Sequence, residues 1–151
     1  EALRDASQLN WRSDTNVARL VFWVADAPHH TNDGNMLKEA ILDSKNGDIR
    51  IYPVASSGVD LMTELSMRSA AQVTGGRYLF LTDDSGIGDS HLEPTIPCYF
   101  VTTLSDAMVR MVTMELSGTY IEPTVDQVIR AGGDPQDGRC TLEDGSEVQI
   151  L

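Results

Sequence analysis

Leu20-Val21-Phe22-Trp23-Val24-Ala25-Asp26-Ala27-Pro28-His29-His30 is the stretch whose reading decides the fold. An uninterrupted apolar run stops at an aspartate, a proline and two histidines. Such a run predicts a strand buried on both faces, of the kind found inside parallel sheets. In open α/β sheets, ligands bind just beyond the carboxyl ends of the strands, and Asp26 stands at such an end with hard oxygen atoms to offer.

The surroundings of this strand predict alternating elements. Glu1 to Asn10 reads as a helix with Leu3, Ala6 and Leu9 at helical spacing, and Val17 to Ala25 as the first strand. A short helix follows over Asn35 to Lys45, with Met36, Leu37, Ala40 and Ile41 on one face and Asn46-Gly47 as its stop. Ile49 to Ala55 is the second strand. Pro53 removes a ladder donor there, which predicts irregularity. Asp60 is placed to cap a helix over Leu61 to Thr74, Gly75-Gly76 ends it, and Arg77 to Leu81 is the third strand. Asp83 to Pro97 is a long loop. Ser105 is the expected cap of a last helix carrying Met108, Val112 and Leu116, ended by Gly118.

This order implies an α/β fold with a parallel sheet and right-handed crossovers. The strand ending at Asp26 is too apolar to be expected at an edge, because bare apolar edges invite aggregation. A neighbouring strand is therefore expected outside the sequence. The start at Glu1, which reads as mid-helix, also points to a fragment, and such a fragment alone is expected to be unstable or oligomeric. From Tyr120 to Leu151 the composition changes. Asp144-Gly145 suits a hairpin turn between Cys140-Thr141-Leu142 and Val148-Gln149-Ile150.

The 151 residues include 11 basic and 23 acidic side chains, a net charge of −12. Phosphate backbones are repelled by such a surface and no basic cluster offsets it, so nucleic acid is not an expected partner. The acidity serves solubility or attracts cations and basic partners. No apolar run approaches the length of a membrane span, and no signal peptide is visible. Two cysteines, Cys98 and Cys140, are too few for a disulfide framework and too widely spaced for a zinc knuckle. They are either one bridge or two buried thiols.

Several segments together carry a family likeness. They are Trp11-Arg12, the strand ending in Asp26-Ala27-Pro28-His29, the segment from Ile51-Tyr52-Pro53 through Ser56-Ser57-Gly58, Glu64, Arg68, and Thr74-Gly75-Gly76-Arg77 through Thr82. In this order and at these separations they resemble the carboxyl-terminal half of a von Willebrand factor type A domain of bacterial type, over residues 1–118. The resemblance implies a doubly wound, Rossmann-like, mainly parallel sheet with helices on both faces. That sheet would be incomplete on its amino-terminal side and followed by a β-rich extension over residues 119–151. The stretch from Asp83-Asp84-Ser85-Gly86 through Ile96-Pro97-Cys98-Tyr99 and the following helix is similar to a secreted or envelope-associated branch. That likeness implies a Cys98–Cys140 bridge and an extracellular or envelope location.

The family's metal-ion-dependent adhesion site takes an Asp-x-Ser-x-Ser motif, a threonine from a second loop and an aspartate after a later strand. Asp26 matches that third element, and the first two have no match here. The resemblance therefore implies a non-enzymatic protein-binding or adhesion module. Its Mg²⁺ (or Mn²⁺ or Ca²⁺) is complete only in an intact domain that includes the missing amino-terminal half. There a partner protein's carboxylate completes the coordination, with the loops His29 to Gly34 and Ser56 to Asp60 supplying recognition.

Other chemistry-bearing residues have plainer readings. His29 and His30 are adjacent, which suits loop residues better than a ligand pair. Asp83-Asp84-Ser85-Gly86-Ile87 starts like the adhesion motif, but Ile87 stands where serine belongs; a calcium role with Asp89 would be the exception. Cys98 has no legible base, with His91 only near in sequence, and Ser57-Gly58 lacks a hydrolase elbow. Trp11 and Trp23 read as packing residues. The rivals to the binding module are a scaffold domain without a working metal site and a small metal-dependent α/β hydrolase or phosphatase using Asp26, His29 and His30.

Overall fold

The computed structural model describes residues 1–56, 58–85 and 96–150. It is mixed helix and strand and divides into two compact units, Glu1–Phe80 and Leu81–Leu151.

In the first unit, α1 (Ala2–Ser7) precedes β1 (Arg19–Ala25). A 3₁₀ turn (Thr31–Asp33) leads into α2 (Gly34–Asn46), which is followed by β2 (Ile49–Ala55), α3 (Leu61–Thr74) and β3 (Leu79–Phe80). The sheet is three-stranded and parallel, in the order β1-β2-β3. Arg19 stands opposite Ile49 and the register runs unbroken to Ala25 opposite Ala55. β3 meets β2 only at Val54 and Ala55.

Crossovers of the same hand in a sheet of sequential order put their helices on one face. Accordingly Leu3 of α1, Ala40 and Ile41 of α2 and Ala70 of α3 form one core with Ile51 of β2, joined by Val21, Trp23 and Leu37. Phe22 and Tyr52, of the opposite parity, pair on the other face with ring centroids 5.4 Å apart.

β1 does not stand at the centre of the sheet. It is one of the two edge strands of the sheet among the described residues, β3 being the other. Its residues Arg19 to Trp23 are half-buried and Val24 is 62% exposed. The expectation of burial on both faces is corrected, because no described strand lies on its outer side.

Pro53 also departs from expectation, since β2 runs straight through it with Pro53 opposite Trp23. Backbone groups alternate sides along a strand, so the Pro53 nitrogen faces the same side as that of Ile51. The Ile51 N–H does not point to β1. It donates to Thr74 Oγ1 at 3.0 Å, at the end of α3. Pro53 therefore lacks its donor on the side where β3 has not yet joined, and nothing is lost. Gly76 completes this junction, for a Cβ there would collide with the Ile51 carbonyl oxygen.

Helix α3 begins as its sequence dictates, with Asp60 Oδ1 accepting the Thr63 N–H at 2.8 Å. Its inward face is Thr63, Met67, Ala70 and Ala71.

The second unit opens with a 3₁₀ turn (Asp83–Ser85), then β4 (Tyr99–Val101) and α4 (Leu104–Ser117). Three short strands follow: β5 (Arg130–Gly132), β6 (Arg139–Thr141) and β7 (Glu147–Gln149). β5 returns antiparallel to β4, so the tail beyond residue 118 contributes a strand beside an element that precedes it. β6 and β7 form the expected hairpin, with Cys140 opposite Val148. Cys98 and Cys140 are joined by a disulfide and cluster with Ile150, Phe100 and Val148.

Helix α4 differs from its reading in two respects. Its cap is Thr103, not Ser105: Thr103 Oγ1 accepts the Asp106 N–H at 3.1 Å, and Asp106 Oδ2 accepts the Thr103 hydroxyl at 2.7 Å. This reciprocal pair places Ser105 inside the first turn. The inward face is Met111 and Met114, while Val112 and Leu116 are 38% and 72% exposed.

Candidate functional site at the strand ends

The carboxyl ends of β1 and β2 meet at one rim. The Ser56 N–H donates to the Ala25 carbonyl at 3.0 Å, a bond from the residue after β2 to the last residue of β1. Asp26 follows immediately. Gly58 sits against it so closely that a Cβ would overlap the Asp26 carbonyl oxygen and stand 3.5 Å from the Asp26 Cβ. Only glycine lets the loop after β2 approach in this way. The Val59 N–H closes a turn on the Ser56 carbonyl at 3.2 Å, and Asp60 then opens α3.

The Asp26 side chain is exposed and, among the described residues, has no hydrogen-bond or ion-pair partner. Asp60 is engaged differently. Its Oδ1 accepts both the Thr63 hydroxyl, at 2.6 Å, and the Thr63 N–H. These bonds, the hydroxyl first, hold the Asp60 carboxyl below the usual carboxylate range. The acid of the loop is thus committed to the helix, while the acid of the strand end is available.

No protein-family model matches the chain, and no curated protein matches it.

The remaining sequence candidates do not gather at this rim. His29 Nδ1 lies 3.0 Å from the His30 carbonyl oxygen, which only accepts, so Nδ1 is the donor of that bond. The His29 ring also packs on Gly34, at the start of α2. His30 is exposed and precedes the 3₁₀ turn without a side-chain capping bond. Asp84, between the Asp83 and Ser85 of the adhesion-like motif, is tied to Arg130 by a 2.6 Å ion pair. Ser57, Ile87, Asp89 and His91 lie outside the described residues. Among the described residues no three His, Cys, Asp or Glu side chains converge as a metal cage, so Asp26 brings one carboxylate and not a complete site. No helix among the described residues is long and apolar enough to cross a membrane.

One feature of the rim was missed in the sequence. Leu61, Met62 and Leu65, in the first turns of α3, are 77%, 55% and 60% exposed. They form an apolar patch directly after the Asp60 cap. The signal was present: Thr63, Met67, Ala70 and Ala71 already fill one helical face, which leaves these three for the other.

Buried groups beside the sheet bear on stability more than on chemistry. Tyr78 is 4% exposed, and burial pushes its phenol well above the usual range. The Glu64 carboxylate pushes in the same direction and Arg68 opposes it. Those two close an ion pair at 3.4 Å across one turn of α3.

Proposed function

We propose that this chain is the carboxyl-terminal part of a von Willebrand factor type A-like binding module. In this reading Asp26 lends a carboxylate to a divalent cation at the rim of a doubly wound sheet. The other ligands come from an amino-terminal half that this sequence does not contain. Mg²⁺ takes near-octahedral oxygen coordination, and one carboxylate with water is a normal share of it. A partner protein's carboxylate completes the shell, and the reading is of a binding protein and not an enzyme.

The observation that carries this reading is the Asp26 carboxylate itself. It is exposed at the end of a parallel strand and, among the described residues, unpaired, with Gly58 of the following loop drawn up beside it. The Leu61, Met62 and Leu65 patch next to that loop adds apolar area where a partner would rest. The Cys98–Cys140 disulfide is compatible with an oxidising compartment, as expected of a secreted or envelope protein.

Calorimetric titration of the intact protein with Mg²⁺ and Mn²⁺ tests the reading. Binding that weakens at least about tenfold in Asp26→Ala supports it. Equal binding by both proteins refutes the role of Asp26, and no binding by either leaves the scaffold reading in its place.

A further inference from the structure

The acidic charge is unevenly divided. Residues 81–151 hold thirteen acidic side chains against three arginines and no lysine, a balance of −10 out of the chain's −12. Each of the three arginines is engaged within its own unit. Arg130 pairs with Asp84 at 2.6 Å, Arg139 with Glu147 at 2.8 Å, and Arg110 donates to the Ile121 carbonyl at 3.4 Å.

On this unit the outward face of α4 carries no charge. Its exposed residues up to Leu116 are Ser105, Val109, Val112, Thr113 and Leu116. Val109 and Leu116 are 62% and 72% exposed. Val109, Val112 and Leu116 recur at spacings of three and four, which aligns them as one ridge. The opposite face is already filled by Met111 and Met114. Asp106 and Glu115 fall on the two flanks of the ridge, by the 3.6-residue period.

We propose that the outer face of α4 docks a cationic amphipathic helix of a partner protein. Its apolar side would lie on Val109, Val112 and Leu116, and its lysines or arginines would face Asp106 and Glu115 on the two flanks. Charge decides between occupants. A second copy of this unit would itself carry −10, and repulsion between like net charges opposes that pairing. A basic helix gains long-range attraction and buries the same ridge. This surface lies on a different element from the Asp26 rim, so either proposal can fail alone.

The probe is a synthetic helix of about fourteen residues with leucine on one face and lysine elsewhere. It is compared with a scrambled peptide of equal composition, using fluorescence anisotropy with the full chain. The proposal predicts that the amphipathic peptide binds at least about tenfold more tightly than the scrambled one. It also predicts that binding weakens from about 50 mM to about 500 mM salt. Val112→Ser combined with Leu116→Ser should reduce affinity at least about tenfold, while Leu9→Ser, at a 61% exposed position of the first unit, should leave it unchanged. These positions are exposed, and an unaltered circular dichroism spectrum shows that each variant folds. Equal binding of both peptides, unchanged affinity in the α4 variant, or a chain dimer that the α4 variant dissociates would each overturn the proposal.

Discussion

The backbone of Gly58 rests on the main-chain carbonyl oxygen of Asp26, so that the loop leaving β2 is fixed against the residue that ends β1. The carboxylate at the rim owes its surroundings to this contact. Gly58→Ala is expected to push the loop away and to cost about 1–3 kcal/mol. Urea unfolding of the wild type and the variant measures this, and an unchanged midpoint would show that the loop yields freely.

Helix α3 presents two faces of very different worth. Met67 is fully buried, and Met67→Ala should cost about 2–5 kcal/mol through the lost contacts and the cavity left behind. Leu65→Ala, on the exposed face, should change stability by less than about 0.5 kcal/mol. Paired denaturation curves check the contrast, and similar losses at the two sites would contradict the burial described.

The elements of the first unit were largely legible because their punctuation is local. Asp60, Gly47 and the Gly75-Gly76 pair mark helix ends wherever the helix packs. The place of β1 was not legible in the same way. An apolar run states that a strand avoids water, but it does not state which neighbour covers it. Pro53 misled for a related reason: the side on which its missing N–H falls is set by register, and sequence does not give register. In α4, Met108-Val112-Leu116 and Met111-Met114 both have helical spacing, so period alone could not choose the inward face. At the rim, the position of Asp26 was readable from the strand that precedes it. The Gly58 contact and the exposed Leu61-Met62-Leu65 patch needed coordinates.

The disulfide closes a long loop, Cys98 and Cys140 being 42 positions apart in the sequence. Cross-linking a loop of this size stabilises by about 4 kcal/mol in the chain-entropy model. Replacing both cysteines by alanine should therefore destabilise the second unit by roughly 2–4 kcal/mol. Thermal unfolding with and without a reductant gives the comparison, and identical melts would show that Ile150, Phe100 and Val148 hold the cluster unaided.

Tyr78 predicts a loss of stability in alkali. Its phenol is raised above the ordinary value of 10.0, chiefly by burial, so the folded state retains a proton that the unfolded state gives up. The stabilisation from this group is whole below pH 10 and falls as the pH rises toward the higher folded value. Tyr78→Phe should flatten that decline, as read from urea midpoints above pH 10. A decline of the same slope in the variant would assign it to other groups.

Asp60 acts with the opposite sign. Its folded carboxyl titrates below the ordinary value of 3.8, so its contribution is present above that pH and is lost as the pH falls through the lowered value. Asp60→Ala should lower the melting temperature at pH 7, and the gap from wild type should narrow at pH 2. A gap that persists in acid would mean that the cap works without its charge.

The central claim is that Asp26 helps hold a divalent cation at the meeting point of β1 and β2. Paramagnetic Mn²⁺ titrated into the isotopically labelled intact protein locates the ion through line broadening of backbone amides. The account predicts broadening centred on Asp26, Ser56 and Gly58 and its disappearance in Asp26→Ala. Broadening centred elsewhere, or unchanged in that variant, would contradict it.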